Sequence, residues 1–124
     1  MTRRQDQLNS QIMEVLSLVI QTEMQDPRLH ALTLTRIQVN RDASHAMVFF
    51  TADDAEEATP AELEEALANA RGYLRRTLAE SLDLRYTPDL TFRYDKAADD
   101  TKRVLDLFEE IARQREENPP RLDE

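Results

Sequence analysis

The sequence predicts a single α+β domain in which helices and a small sheet form two layers. Three observations support this prediction. Apolar residues recur at three- and four-residue steps in several segments, which is typical of helices with one buried side. A run rich in threonine and aliphatic residues precedes residues 40–44, whose Asn and Asp favour a turn, and a mostly apolar run follows them, so a β-hairpin is expected. The chain has 124 residues, of which 40% are apolar, and this suffices for one core.

The first half of the chain predicts a helix followed by the hairpin. The helix covers residues 4–24, and Asp26-Pro27 ends it because a residue before proline is kept out of the helical region. Residues 32–40 and 46–52 are the two strands, which we expect to pair antiparallel. The apolar alternation of the first strand slips at Arg36, which predicts either a bulge or a strand covered on both faces.

The second half begins with a long helix that has a clear start. Thr59 is suited to cap it, Pro60 fits its first position, and Glu62 completes a capping box. The apolar stripe of this helix runs through Gly72 as far as Leu82. Gly72 is therefore either a tolerated weakness or the place where the helix bends.

The chain then predicts a third strand and a last helix. The strand follows Pro88 and carries Leu90, Phe92 and Tyr94 on one face. The last helix is expected over residues 99–115, with Asp99 or Asp100 as its cap and a stripe made of Val104, Leu107, Phe108 and Ile111. Residues 116–124 carry no such stripe and are expected to form a disordered charged tail beyond a domain of residues 1–115.

The composition disfavours most classes of enzyme. The single glycine, Gly72, cannot form the phosphate-binding loops that need several glycines, and the absence of cysteine removes thiolate chemistry. The two histidines, His30 and His45, give little support to acid–base or zinc chemistry. We therefore expect a non-enzymatic protein with no cofactor, no metal and no catalytic residue.

No segment resembles a membrane span or an export signal. The longest unbroken apolar run is residues 46–50, far below the roughly 18 residues that cross a bilayer. The basic start of the chain is followed by polar residues rather than by an apolar signal core. We expect a cytoplasmic protein without membrane contact.

The charge is unevenly distributed along the chain. The formal net charge is −9, which alone argues against nucleic acid as a partner. Residues 51–70, however, hold 7 acidic and no basic residues, whereas residues 71–94 hold 5 arginines and 3 acidic residues. A local basic face is therefore compatible with the sequence, and so is an acidic surface that docks on a basic protein.

The order of the elements and several motifs resemble a known family. If the long helix is two helices that meet near residue 71, the order matches the second topology of KH domains, which hold single-stranded nucleic acid where those helices meet. Four motifs, in the same order and at similar spacing, resemble the family of ribosome-binding factor A, and the resemblance extends over roughly residues 3–113. They are Gln25-Asp26-Pro27-Arg28-Leu29, Asn40-Arg41-Asp42 with residues 46–50, Ala66-Leu67 with residues 70–75, and residues 82–92.

The resemblance implies a KH-type domain in which Ala70-Arg71-Gly72 replaces the usual glycine-rich loop between the two helices. It implies a factor that binds the small ribosomal subunit late in assembly, contacts 16S ribosomal RNA near the decoding region, supports maturation of its 5′ end, and matters most in the cold. It also implies an assembly GTPase as a functional partner, while a monomer is the default expectation.

The candidate RNA-binding residues combine this resemblance with the arginine pattern. Arg71, Arg75 and Arg76 follow one another at helical steps that can form one broad face, although a merely solvated helix flank gives the same pattern. Tyr73 is expected to pack in the core, whereas Met47 and Phe49 can stack on bases only if the helices leave their strand face open. The full candidate set is Arg3, Arg4, Ala70, Arg71, Gly72, Arg75, Arg76 and Arg85.

Overall fold

The order of helices and strands agrees with the order that the sequence predicts. A computed structural model describes residues 3–52 and 58–117, so the acidic run at 53–57 and the tail from 118 onward lie outside the described residues. The elements are α1 (Arg3–Thr22), a short 3₁₀ helix (Pro27–Ala31), β1 (Leu32–Val39), β2 (His45–Ala52), α2 (Pro60–Asn69), α3 (Arg71–Ser81), β3 (Asp89–Tyr94) and α4 (Lys96–Glu117).

The three strands form one sheet in the order β1-β2-β3. The β1 and β2 strands pair antiparallel, which confirms the predicted hairpin, and the register shifts between Leu34 and Arg36. The slip in the sequence pattern therefore marks a bulge: Leu34 lies opposite Phe50 and Arg36 opposite Phe49, so Thr35 is the extra residue. The β3 strand pairs parallel to β2 because α2 and α3 form the crossover between them.

The core lies between one face of the sheet and the helices α1, α2 and α3. Ala46, Val48 and Phe50 of β2 are completely buried, and Leu90 and Phe92 of β3 lie on the same side. This confirms the predicted face of β3, while Tyr94 is only partly buried and packs its ring edge-on against Phe50 at 5.7 Å. The helices supply Ile12, Leu16, Val19, Ile20, Leu63, Leu67, Leu74 and Leu78.

The last helix differs from its prediction in extent. It begins at Lys96 rather than at residue 99, because the carboxylate of Asp95 accepts a hydrogen bond from the Ala98 N–H at 3.1 Å and so caps the helix earlier. It ends at Glu117, so residues 116 and 117 are helical rather than part of a tail. Among the residues that the structure describes, no helix is long and apolar enough to span a membrane.

Candidate nucleic-acid interface

The two helices inside the long apolar stripe meet at Ala70. Helix α2 ends at Asn69, helix α3 begins at Arg71, and Ala70 between them has φ −87° and ψ −2°. The Ala70 N–H donates to the carbonyls of Ala66 and Leu67 at 3.2 and 3.1 Å, and its own carbonyl accepts from the Leu74 N–H at 3.0 Å. The break therefore costs few backbone hydrogen bonds, and it leaves the apolar residues of both helices on the core side.

Gly72 lies in the first turn of α3 and does not use its backbone freedom. Its φ is not positive, and a Cβ atom built on it meets no atom within 4 Å. The helix break is therefore not a property of glycine at this position, and the suggestion that Gly72 provides the bend is wrong. The change of helix direction follows from the backbone at Ala70 instead.

Replacing Gly72 by alanine is expected to raise the free energy of unfolding by about 0.4–1 kcal/mol. Alanine restricts the unfolded chain more than glycine does, and the folded structure has room for its methyl group. Urea denaturation measures the change, with Ala79→Gly on the exposed side of α3 as the matched control that should lose a similar amount. A loss of stability in Gly72→Ala would contradict this assignment.

The three arginines of α3 do not have the same surroundings. Arg71 and Arg76 are exposed. The guanidinium of Arg75 instead donates to the carbonyls of Thr87 and Pro88 at 3.1 and 3.3 Å and pairs with Asp89 at 3.3 Å. These contacts join α3 to the start of β3, so the Arg75 side chain is half-buried. The prediction that Arg75 lies on a solvent-facing flank of the helix is therefore corrected.

The Arg75 contacts hold the loop before β3 against α3. This loop carries Arg85, which is exposed and lies 5.5 Å from the centre of the Tyr86 ring, and Tyr86 itself is 71% exposed. We call Arg71, Arg76, Arg85 and Tyr86 the arginine surface. Tyr86 was missed by sequence reasoning, although an aromatic residue next to an arginine in a polar loop is a usable signal.

The remaining candidate arginines lie at the start of α1. Arg4 is exposed, and the side chain of Arg3 is outside the described part of the structure. About 27 Å of helix separate Arg4 from Thr22 at the other end of α1. Next to that other end, Glu23 accepts a hydrogen bond from the Tyr73 hydroxyl at 2.8 Å. The structure therefore does not bring Arg4 to the beginning of α3, where Arg71 lies.

The aromatic candidates also separate into two groups. Tyr73 is exposed, and its hydroxyl donates a hydrogen bond to Glu23 at the surface. The prediction that Tyr73 packs in the core is therefore wrong. Met47 and Phe49 lie on the sheet face opposite to the core and are partly buried. The guanidinium of Arg36 lies 3.7 Å above the Phe49 ring and already occupies one side of it.

A cleft of about 750 Å³ opens at the helix junction, where Asn69, Ala70 and Tyr73 line it. Its carboxylates come from two parts of the chain, namely Glu23 and Asp26 after α1 and Glu62 and Glu65 of α2. Arg28 pairs with Asp26 at 2.7 Å and with Glu62 at 3.5 Å. The hydrogen bond from the Arg28 guanidinium lowers the pKa of Asp26, so this carboxylate stays charged. The cleft therefore disfavours phosphate, and it was missed because its residues are distant in sequence.

Comparisons with known proteins agree with the resemblance in the sequence. The family described as ribosome-binding factor A matches residues 4–108. The ribosome-binding factor A of Alcanivorax borkumensis is 39% identical over 98% of this chain and 88% of its own length, and that of Neisseria meningitidis serogroup C is 40% identical over 88% and 87%.

Solved structures of the same family have a similar fold. The crystal structure of ribosome-binding factor A from Thermus thermophilus superposes with a TM-score of 0.64 at 30% identity, covering 72% of this chain and 92% of that one. A homology model of Thermus thermophilus ribosome-binding factor A, fitted into a cryo-electron microscopy map of a 30S complex, gives a TM-score of 0.60 at 31% identity, covering 73% of this chain and 93% of that one. The chain belongs to the ribosome-binding factor A family.

Proposed function

We propose that this protein binds the 30S ribosomal subunit through 16S ribosomal RNA and that the arginine surface makes this contact. The observation that carries the proposal is the exposure of Arg71, Arg76, Arg85 and Tyr86 in a chain whose net charge is −9. Arginines that neutralise phosphates release condensed counterions, and an exposed tyrosine offers a face on which an unpaired base can stack. A related factor from Thermus thermophilus has been fitted into a map of its 30S complex, which supports the same partner here.

The negative net charge slows the approach to RNA without preventing short-range contact. Screening acts over about 8 Å at physiological salt, so carboxylates beyond that distance weaken a phosphate contact only slightly. The carboxylates of the acidic cleft, which Ala70 and Tyr73 also line, disfavour phosphate at the helix junction itself, so the exposed arginines make the proposed phosphate contacts.

The finer features follow from the family. The protein acts as a non-enzymatic assembly factor in the cytoplasm, and the order of α1 to β3 supports a KH-type domain in which Ala70 joins its two central helices and Arg71 and Gly72 begin the second of them. We assign it to late maturation of the subunit near the decoding region, to processing of the 5′ end of 16S ribosomal RNA, to growth in the cold, and to release by an assembly GTPase.

Replacing Arg71, Arg76 and Arg85 by alanine is expected to weaken binding to isolated 30S subunits by on the order of 100-fold at low salt. Each lost phosphate contact lowers the salt slope by about 1, so the slope should fall by up to about 3. Co-sedimentation with 30S subunits at about 50 and about 200 mM salt measures both quantities. Mature 70S ribosomes provide the comparison for specificity.

The matched control is Arg41→Ala/Arg93→Ala/Arg113→Ala, which removes the same charge from exposed arginines elsewhere. It should retain most of the affinity. Equal affinity and equal salt slope for wild type and the arginine-surface variant would contradict the assignment. Arg75→Ala is unsuitable as a test because it also removes the contacts to Thr87, Pro88 and Asp89.

The acidic cleft favours a second function, docking of a basic segment of a ribosomal protein. Glu62→Gln/Glu65→Gln removes two of the charges in this cleft without adding bulk. If protein docking dominates, this variant loses 30S binding while the arginine-surface variant keeps it. The reverse outcome supports the RNA contact.

A further inference from the structure

The sheet face opposite to the core carries two cross-strand rows of side chains, and we call it the outer sheet face. Each row takes one residue from β1, β2 and β3, and the rows are Gln38–Met47–Thr91 and Arg36–Phe49–Arg93. Arg36, Gln38 and Arg93 are exposed, whereas Met47 and Phe49 at the centre are partly buried. The two apolar side chains of the middle strand are therefore flanked by polar and positively charged groups.

The guanidinium of Arg36 is held in place from two sides. Its Cζ atom lies 3.7 Å from the centre of the Phe49 ring, which is a stacking distance, and its Nε donates to the Asp95 carboxylate at 3.3 Å. Asp95 is itself fixed, because it also accepts hydrogen bonds from the Thr35 hydroxyl and the Ala98 N–H. These contacts restrict the rotamers of Arg36 before any ligand binds, so little further ordering is needed on binding.

Half of this fixed side chain still faces solvent. The Arg36 side chain is 49% exposed, although one plane of its guanidinium rests on Phe49 and its Nε points to Asp95. Within residues 3–52 and 58–117, no group accepts a hydrogen bond from its terminal nitrogens Nη1 and Nη2. The accessible part is therefore the outer plane of the guanidinium with donors at its rim, which suits an unpaired nucleobase.

The charge of the outer sheet face favours a polyanion as the occupant. Arg36 and Arg93 flank Phe49 at the same level of the sheet, and the two rows contain no carboxylate. The buried Asp95 balances one of these charges, so the face stays positive in a chain whose net charge is −9. A positive face with a flat stacking group suits single-stranded RNA, because the bases of a duplex are stacked on one another and offer no open ring.

We propose that the outer sheet face is a second RNA-binding site, in which an unpaired base stacks on the Arg36 guanidinium that Phe49 and Asp95 hold. The base then completes a stack of three layers, and Met47 offers apolar contact beside it. Arg93 lies outside this stack and adds only its charge. The site goes beyond the proposed contact with 30S subunits and is independent of it, since it shares no residue with the arginine surface.

Replacing arginine by lysine tests the stack, because lysine keeps the charge beside Asp95 but has no planar guanidinium. The full-length Arg71→Ala/Arg76→Ala/Arg85→Ala variant serves as the background, so that the arginine surface does not hold the probe. The probe is a fluorescently labelled single-stranded oligoadenylate RNA of about eight nucleotides, and fluorescence anisotropy at about 50 mM salt gives its dissociation constant. Adding Arg36→Lys should raise this constant by about tenfold, whereas the matched Arg93→Lys on the same face should change it by less than about twofold.

Two further measurements complete the experiment. Phe49→Leu removes the ring beneath the guanidinium and should weaken probe binding by about tenfold as well. In the wild type, titration with the probe should shift the nuclear magnetic resonance signals of the Arg36 Nε–H and the Met47 methyl group. Circular dichroism checks that each variant is folded.

Three outcomes would overturn the proposal. The first is an Arg36→Lys variant that binds the probe as tightly as its background, since charge rather than stacking would then explain the binding. The second is a titration that shifts no signal of the outer sheet face. The third is an Arg36→Lys variant that loses 30S binding but keeps probe binding, which would indicate a ribosomal protein as the partner of this face.

Discussion

Replacing Phe92 by alanine is expected to lower the free energy of unfolding by about 3–5 kcal/mol. Phe92 is 3% exposed and lies in β3 opposite Val48 of β2, on the face that the helices cover. Truncation removes apolar surface from the single core and leaves a cavity that the surrounding sheet and helices fill only partly.

Urea denaturation followed by far-ultraviolet circular dichroism measures this loss. Arg93→Ala, the next residue in the strand, is exposed and serves as the matched control, with an expected change within about 0.5 kcal/mol. A loss below about 1 kcal/mol in Phe92→Ala would contradict its place in the core. Equal losses in both variants would indicate damage to the strand pairing rather than a packing effect.

Local patterns made the elements predictable from the sequence. Thr59 is confirmed as the cap of α2, because its hydroxyl accepts a hydrogen bond from the Glu62 N–H at 3.2 Å, whereas the Glu62 carboxylate pairs with Arg28 at 3.5 Å. The slip of the apolar alternation at Arg36 corresponds to the bulge because a strand has a strict two-residue period. Such signals depend on neighbours in the chain, so no knowledge of the tertiary structure is required to interpret them.

Features that depend on contacts between residues distant in the chain could not be predicted from the sequence. An arginine on a helix has the same pattern whether it faces solvent or, like Arg75, binds the carbonyls of a loop twelve and thirteen residues away. The acidic cleft collects carboxylates from α2 and from the chain after α1, which no spacing in the sequence indicates. The family resemblance predicted a ribosome-binding factor, but the structure was required to distinguish Arg75 from Arg71 and Arg76.

The α4 helix illustrates the same limit in another way. Its apolar stripe was recognised from the periodicity of Val104, Leu107, Phe108 and Ile111, but periodicity does not say what covers the stripe. The structure shows that the domain does not cover it. The carboxylate of Asp95 connects this helix to the rest of the protein. The sequence pattern predicts Asp95 in neither β3 nor α4.

Asp95 joins three parts of the fold although it is 3% exposed. Its carboxylate accepts hydrogen bonds from the Thr35 hydroxyl at 2.5 Å, from the Arg36 guanidinium at 3.3 Å and from the Ala98 N–H at 3.1 Å. Burial raises the pKa of Asp95, but these hydrogen bonds outweigh burial and lower the pKa from its usual value of 3.8. The charged carboxylate therefore stabilises the bulge of β1 and the start of α4 together.

Asp95→Ala is expected to lower the free energy of unfolding by about 2–3 kcal/mol at neutral pH, since it removes a helix cap and leaves the Thr35 hydroxyl without its acceptor.

A group whose pKa is lower in the folded state contributes stability above its usual pKa and loses it as the pH falls through the folded pKa. The difference between wild type and Asp95→Asn should therefore shrink as the pH falls below 3.8, because Asp95 takes up a proton in the unfolded chain first and in the folded protein only at its lower pKa. Urea denaturation at pH 7 and at about pH 3 measures this difference, with the exposed Asp83→Asn as the control. A difference that stays constant between the two pH values would show that Asp95 acts through its shape rather than through its charge.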